Sequence, residues 1–188
     1  IQLARKPADV EQGLTDLRSA KASQAREIEA ALASAQRQET KDRLTEVKSL
    51  MEFYSGAVED LAKAQKTSLE EVEKRNTISG EWYRAFQTAL NSSVFARIDN
   101  REEVEGLFYQ ADAKVNALRA LVWRLGATGD TKLVETIAHS KSQLASLLKQ
   151  TRDKADDKKL HELVDGLGVI INRFLGVTGD SVTTDALK

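Results

Sequence analysis

Apolar residues recur along the chain at alternating intervals of four and three residues. This spacing places them on one face of an α-helix, as in the seam of a helical bundle or coiled coil. Four such ladders run through Leu44, Val47, Met51, Tyr54, Val58 and Leu61; Val104, Phe108, Ala111, Val115, Leu118, Val122 and Leu125; Leu133, Ile137, Ser140, Leu144 and Leu147; and Leu160, Leu163, Leu167, Ile170, Phe174 and Val177. No segment shows the two-residue alternation of a β-strand, so the pattern predicts an all-α protein.

Turn-forming residues divide the ladders into helices. Pro7 and Asp9 predict the start of the first helix, with Asp9 as a candidate N-cap, and this helix is expected over about 10–36. A second, long helix is expected over about 41–76. The expected breaks are 38–40, 79–80, 99–100, 126–130, 153–157 and 176–180.

One of these breaks occurs twice in similar form. The chain reads Gly-Ala-Thr-Gly-Asp at 126–130 and Gly-Val-Thr-Gly-Asp at 176–180. In the first copy we expect Gly126 to end one helix and Thr128 or Asp130 to cap the next. The second copy is expected to end the last full helix. The repeat indicates either an internal duplication or a shared helical periodicity.

Short connections between amphipathic helices make consecutive helices antiparallel neighbours. The expected fold is therefore an antiparallel up-and-down helical bundle. Two helical blocks are expected, 1–80 and 81–188, which we predict to form two stacked four-helix modules that share long helices. A single elongated bundle is the simpler alternative.

Composition excludes several classes of function. The 188 residues include no cysteine, which excludes disulfide scaffolds, thiol catalysis and cysteine-ligated zinc. The 28 basic residues are balanced by 29 acidic ones, so no nucleic-acid partner is expected. No apolar run approaches the roughly 18 residues that a membrane-spanning helix needs. The chain begins with Ile1 rather than Met, and we expect it to be a soluble piece of a longer protein.

Signals of catalysis and of metal binding are weak. The chain has two histidines, and neither has a glutamate three residues before it, as di-iron bundle enzymes require. Glu135 and His139 lie one turn apart, but an exposed pair is far commoner than a metal site at this spacing. We expect no catalytic residue, no metal and no cofactor, and predict that this domain is not an enzyme.

One lysine occupies a position that is otherwise apolar. The ladder through Val10, Leu14 and Leu17 continues onto Lys21. Burial of an unpaired ammonium group costs several kcal/mol, so Lys21 must reach solvent, find a partner or meet an anion. Extension of the side chain to solvent is the favoured interpretation, and anion binding is the functional alternative.

Arginines close to aromatic residues form the second candidate feature. A guanidinium group binds a carboxylate through two hydrogen bonds, and neighbouring rings can enclose the carbon skeleton of a small organic acid. The alternative is that the aromatic residues fill the core while the arginines pair with nearby acids. The candidate ligand-binding residues are Tyr83, Arg84, Arg97, Arg119, Trp123 and Arg124, together with Lys21.

The segment 118–130 resembles a known type of domain. A helix rich in arginine is followed by Thr-Gly-Asp and then by a leucine-rich helix, which resembles the four-helix-bundle sensor domains of bacterial chemoreceptors and histidine kinases. The likeness extends over about 104–180. The N-terminal block, with Arg5-Lys-Pro-Ala-Asp at 5–9 and Tyr54 in the following helix, looks like a second copy, so the chain is similar to the helical bimodular sensor domains.

This resemblance implies a function. It implies the periplasmic, extracytoplasmic part of an inner-membrane receptor, anchored through flanking helices absent from this chain and forming a homodimer. A small organic acid, aliphatic or aromatic, would bind between bundle helices and shift them slightly. Of the family's inward-facing arginines, Arg119, near Trp123 and Arg124, matches the end of the first helix of a module, whereas Arg173 departs from the pattern. The alternative is a helical interaction or spacer bundle without a small-molecule pocket.

Overall fold

Five α-helices and one short 310 helix make up the part of the chain that the structure describes. A computed structural model describes residues 4–185, with side chains described through residue 177. The elements are α1 (Pro7–Ser34), α2 (Gln38–Leu90), the 310 helix (Phe95–Arg97), α3 (Arg101–Thr128), α4 (Lys132–Lys154) and α5 (Lys158–Asp185). Residues 4–185 contain no strand, so the all-α prediction is confirmed. Within the part of the chain that the structure describes, no helix is long and apolar enough to cross a membrane.

The chain divides into two compact units, Ile1–Glu73 and Lys74–Lys188. The first unit contains α1 and the part of α2 up to residue 73. The second unit contains the rest of α2, the 310 helix and α3 to α5, which together form a four-helix bundle. The boundary therefore falls inside a helix. The stacking of two four-helix modules stays a prediction.

The predicted end of the second helix is wrong. The second helix was expected to stop near residue 76, but α2 continues through Gly80 to Leu90. Its continuation buries Ile78, Trp82 and Phe86 on one face. A glycine inside a helix costs about 1 kcal/mol, whereas full burial of one large apolar side chain is worth about 1.5–3 kcal/mol. Burial therefore outweighs the glycine penalty.

The last helix also continues past its expected end. The segment 176–180 was expected to end it, but α5 extends to Asp185. An isolated glycine weakens a helix without stopping it, and no proline follows. By contrast, the break expected at 99–100 is confirmed, and the one expected at 153–157 is confirmed over 155–157, between α4 and α5.

The core residues predicted for α3 are correct without exception. All seven apolar residues predicted for that ladder are buried. In α4 and α5 the buried positions are shifted: Leu148 replaces Leu147, and Val164 and Ile171 replace Leu163 and Ile170. A straight helix has 3.6 residues per turn rather than 3.5, so the buried face of α4 drifts relative to a heptad pattern. In α5 the buried residues keep the four-three spacing, and Leu160, Leu167 and Phe174 are buried as predicted.

Aromatic rings fill one end of this core. Phe108 lies 6.0 Å from Phe86 and 5.6 Å from Phe95, measured between ring centroids, and Trp82 stacks on Phe86 at 6.4 Å. The indole Nε1 of Trp82 donates a hydrogen bond to Asp112 Oδ1 at 2.9 Å, which connects α2 with α3. The ring contacts and this hydrogen bond fix α2 against α3.

In the first unit, α1 packs against α2 as a helical hairpin. Val10 and Leu14 are buried on α1, and Ser55 is the buried residue of α2. The Ser55 hydroxyl donates to the Met51 carbonyl at 2.7 Å, so its burial leaves no unpaired donor. An ion pair of 3.0 Å joins Lys48 Nζ to Glu29 Oε1. The hairpin is therefore held by few buried apolar groups and by ion pairs at its edges.

The ladder predicted for this part of α2 is only partly correct. Leu44, Met51 and Val58 are half-buried, whereas Val47, Tyr54 and Leu61 are exposed. The predicted set thus covers two faces of the helix, because a two-helix hairpin buries only a narrow stripe of each helix.

The end of α3 generates a test of the backbone. Gly129, rather than the expected Gly126, ends the helix, with φ of 63° and its N–H bonded to the Leu125 carbonyl at 2.8 Å. An L-residue in this left-handed conformation is strained by about 1 kcal/mol, so Gly129→Ala should lower the free energy of unfolding by that amount. Gly126→Ala, a matched control inside α3, should raise it by about 0.5 kcal/mol. Urea unfolding followed by circular dichroism measures both, and equal effects would contradict the assignment of the helix end.

The ion pair between Glu11 and Lys66 generates a test of the hairpin. The hydrogen bond from Lys66, followed by its charge, lowers the pKa of the exposed Glu11 carboxyl. Because this pKa is depressed, the stabilisation is present above the pKa of the unfolded chain and is lost as pH falls through the pKa of the folded chain. Lys66→Met should move the pKa of Glu11 back toward its usual value, as measured by NMR titration of the carboxyl carbon. Lys63→Met is the control, because Lys63 pairs with Asp60, and an equal change in both variants would contradict the pairing.

Candidate ligand-binding groove

A groove between α4 and α5 is the candidate functional site. Its cavity has a volume of about 390 Å³. The floor is made by buried aliphatic side chains that also belong to the bundle core: Leu144, Leu148, Val164 and Ile171. Small-molecule sites in proteins have volumes of about 300–1,000 Å³ and mostly apolar linings, so this groove has the size and polarity of such a site.

Small residues leave the groove open. Gly168 on α5 and Ala145 on α4 line it. A Cβ atom added at Gly168 would have no atom within 4 Å, so the space beside this glycine is open. In addition, α4 packs more closely against α3 than against α5. The two helices that border the groove are therefore the more loosely packed neighbours.

The rim of the groove carries positive charge. Lys141, Lys149 and Arg152 lie along one face of α4, opposite Asp165 on α5. Arg152 Nε is 3.2 Å from Asp165 Oδ1, so this charge is paired across the groove. Among the side chains of residues 4–177, no carboxylate pairs with Lys141. The rim thus offers one ammonium group that is available to an anion.

Lys149 is engaged on its own helix. Its Nζ lies 2.7 Å from Asp153 Oδ2, one turn along α4. The hydrogen bond from Lys149 is the main cause that lowers the pKa of Asp153, which stays ionised and keeps the lysine paired. Lys149 therefore contributes less to binding an added anion than Lys141.

This arrangement has a definite binding chemistry. The aliphatic floor favours an apolar body, and the free Lys141 ammonium group favours one negative charge at the rim. Asn172, also on the rim, offers an amide that can donate or accept a hydrogen bond. A small carboxylate with a hydrocarbon or aromatic body satisfies all three.

These residues are not among the predicted site residues, although the sequence carries a signal for them. Lys141, Ala145, Lys149 and Arg152 are spaced by four, four and three residues, so they form a basic stripe beside the α4 ladder. Gly168 interrupts the α5 ladder. A basic stripe on one helix and a glycine on another predict an anion-binding groove only when the two helices are known to be neighbours. The sequence does not show that α4 and α5 border a groove.

Arg119 is the sequence-predicted site residue that reaches into the core. It borders a cavity of about 10 Å³ next to Trp82, Ile170 and Phe174. Its Nη1 donates to Asn116 Oδ1 at 3.2 Å, and Asn116 donates in turn to Asp112 at 3.1 Å. The Arg119 Nε is buried and has no hydrogen-bond partner among the described residues. This cavity is too small for an organic acid.

The residues near Arg119 in sequence do not join it. Trp123 is 45% exposed and Arg124 is exposed, since both lie on the outer side of α3. Tyr83 is 63% exposed, and Arg84 beside it is exposed as well. The buried aromatic residues of this region are Trp82 and Phe86, which serve the core. The alternative interpretation, in which the aromatic residues fill the core while the arginines pair with nearby acids, fits Trp82 and Phe86 but not the exposed rings of Tyr83 and Trp123.

The remaining predicted residues lie elsewhere. Arg97 Nε donates to the Ser93 carbonyl at 2.9 Å and borders a polar cavity of about 380 Å³ at one end of the second unit. The cavity is lined by charges of both signs, including Lys154 and Asp157. Lys21 is half-buried in the first unit. The predicted site residues are therefore not gathered into one pocket.

Arg173 also has a structural partner. Its Nη1 lies 2.6 Å from Glu81 Oε2, an ion pair that joins α5 to α2 in the second unit. His139 lies 2.8 Å from the side-chain amide of Gln143. Within the described residues, no group of three or more His, Cys, Asp or Glu side chains is arranged to hold a metal ion.

Comparison with known proteins adds no assignment. No protein-family model matches the chain, and neither a curated protein nor a solved structure matches it.

The buried Nε of Arg119 generates a test. A buried donor without a partner costs about 1–3 kcal/mol, so Arg119→Met, which keeps the length of the side chain, should raise the free energy of unfolding by about 1 kcal/mol. Arg124→Met is the matched control on the same helix; because Arg124 is exposed, its effect should stay within about 0.5 kcal/mol. Urea unfolding followed by tryptophan fluorescence measures both. A loss of stability in Arg119→Met would show that the guanidinium group is satisfied in the folded protein.

Proposed function

We propose that this chain is the ligand-sensing domain of a transmembrane signalling receptor, and that it binds a small organic acid in the groove between α4 and α5. The observation that carries the proposal is the combination of an aliphatic floor with a rim cation, Lys141, that has no carboxylate partner among the side chains of residues 4–177. The predicted ligand class is retained, but its site is moved from the Arg119 region to this groove.

The charges on the rim favour a monocarboxylate. Arg152 is already paired with Asp165, and Lys149 with Asp153. A second carboxylate on the ligand would therefore compete with the protein's own acids for a cation. An aliphatic or aromatic acid with a single carboxylate would place that group near Lys141 and Asn172 and its apolar body on Leu144 and Ile171.

A ligand in this position can act on helix spacing. It would contact α4 and α5 at once, so it favours the arrangement in which both helices reach it. Displacements of about 1–2 Å between packed helices are typical of such switches. The location outside the cytoplasm and the anchoring by flanking membrane helices rest on the resemblance to bacterial sensor domains.

The test blocks the groove without changing the helix. Gly168→Leu fills the groove from α5, whereas Gly166→Leu places the same side chain on an exposed position of α5 that does not line it. Aromatic and aliphatic monocarboxylates should raise the melting temperature of the wild type and of Gly166→Leu, but not of Gly168→Leu. Circular dichroism of the two variants checks that both are folded.

Lys141→Met tests the role of charge in the same site. A hydrogen bond to a charged group is worth about 1.5–3 kcal/mol, so the affinity for a carboxylate should fall by about 10- to 100-fold. Binding of the matching uncharged amide should not change. Isothermal titration calorimetry measures both ligands. Equal affinity of wild type and Lys141→Met for the acid would remove Lys141 from the site, and a broad acid library without a hit would overturn the proposed function.

A helical interaction bundle is the second candidate function. The observation in its favour is the exposed apolar side chains of α2 in the first unit, among them Phe53 and Leu61. This candidate predicts binding of a protein surface and no response to any small acid. The groove variants distinguish it from sensing, because Gly168→Leu should leave a protein interaction of α2 unchanged.

A further inference from the structure

One face of α2 in the first unit exposes an apolar stripe. Val47, Leu50, Tyr54 and Leu61, here named the α2 stripe, are 45%, 60%, 68% and 69% exposed. Their spacing of three, four and seven residues places them on one side of the helix. Phe53, next to the stripe, is 78% exposed. Contiguous apolar patches of several hundred Å² mark interaction sites on soluble proteins.

The hairpin itself leaves the stripe open. The face of α2 that packs on α1 is a different one, with Ser55 buried and Leu44, Met51 and Val58 half-buried. Lys48 and Lys66 on α2 pair with Glu29 and Glu11 on α1, which fixes that face toward α1. Rotation of α2 to cover the stripe would break both ion pairs and expose Ser55. The stripe therefore needs a partner from outside the hairpin.

Charge around the stripe argues against a nucleic-acid or anionic-membrane partner. The segment 41–66 of α2 has no net charge, because its five basic residues equal its five acidic ones. These are Lys41, Arg43, Lys48, Lys63 and Lys66, and Asp42, Glu46, Glu52, Glu59 and Asp60. A nucleic acid or an anionic membrane surface selects a basic face, which this segment lacks. A segment without net charge instead does not repel an identical copy of itself.

The area of the stripe suits association of two copies. From their exposed fractions, the stripe and Phe53 offer about 600 Å² per copy, so a pair would bury about 1,200 Å², the lower end of specific protein interfaces. Apolar side chains at three- and four-residue spacing pack into the gaps of an identical stripe. A two-fold axis uses the same patch on both copies, so no second surface is required.

We infer that two copies of this chain associate through the α2 stripe. The two α2 segments pack against each other and the two α1 helices lie outside them, giving a four-helix arrangement of the kind that the second unit forms within one chain. The inference concerns a surface of the first unit and does not depend on ligand binding in the groove.

Charge substitution in the full chain tests this inference. Leu50→Lys combined with Tyr54→Lys places two cations on the stripe of each copy. The control combines Tyr83→Lys with Val169→Lys, which adds the same charge at positions 63% and 59% exposed in the second unit. Sedimentation velocity at protein concentrations of about 1–200 µM should show a monomer–dimer equilibrium for the wild type and for the control. The dissociation constant of the dimer should be at least about 100-fold higher for the stripe variant, which should therefore remain monomeric across the range.

Cross-linking provides a second readout that does not depend on affinity. The chain contains no cysteine, so Tyr54→Cys introduces the only thiol. Oxidation of Tyr54→Cys should give a covalent dimer, whereas Tyr83→Cys, an equally exposed control, should stay monomeric. A wild type that is monomeric at all concentrations, together with a Tyr54→Cys variant that gives no covalent dimer, would overturn the inference. A dimer that survives Leu50→Lys with Tyr54→Lys would overturn it as well, since another surface would then hold the copies together.

Discussion

The burial of one apolar face per helix is the constraint on which the second unit depends. Each of these helices has a stripe to bury, and α3, which packs closely against α4, buries its predicted stripe completely. The helices around it cannot all be equally close. The distance between α4 and α5 is set by what lies between them, and small residues at Ala145 and Gly168 leave that interface open. The groove is therefore a consequence of how the core is shared among four helices, and its floor is the core itself. A ligand that fills it extends the apolar packing that already holds the bundle together.

The helices were predictable from the sequence because helix formation is controlled by local periodicity, and the core of α3 was predictable for the same reason. Helix ends were less so. Gly80 and Gly176 lie inside helices because continuation of the helix allows neighbouring apolar residues, such as Trp82 beside Gly80, to be buried. This burial depends on tertiary contacts, which the local sequence does not show. The α2 ladder was misassigned for a related reason. Val47 and Tyr54 have the spacing of core residues, but α1 is a single partner helix and covers only the face around Ser55.

The candidate site was harder to predict than the fold. Sequence proximity grouped Arg119, Trp123 and Arg124, yet one turn of helix separates a side chain that enters the core from two that face solvent. Relative to Arg119, Trp123 is rotated by about 40° and Arg124 by about 140° around the helix axis, and these rotations decide between the two outcomes. The groove depends on a pair of helices, α4 and α5, and on which basic residues are already neutralised. The sequence shows Asp153 one turn after Lys149 and no acidic residue one turn from Lys141, but it does not show that Asp165, across the groove, pairs with Arg152.

Pairing of charges and covering of apolar surface follow the same logic in both units. In the second unit the described acids neutralise the cations beside the groove except Lys141, and in the first unit the ion pairs of Lys48 and Lys66 hold one face of α2 on α1. In the second unit, Lys141 remains without a described carboxylate partner above the aliphatic floor of the groove. In the first unit, the aliphatic and aromatic side chains of the α2 stripe remain exposed. The first combination matches an amphipathic anion, because it offers both charge and apolar contact. The second offers apolar contact with balanced charge around it, which matches another α2 stripe. The groups that remain unpaired or exposed after folding thus distinguish a candidate small-molecule site in the second unit from a candidate interaction surface in the first.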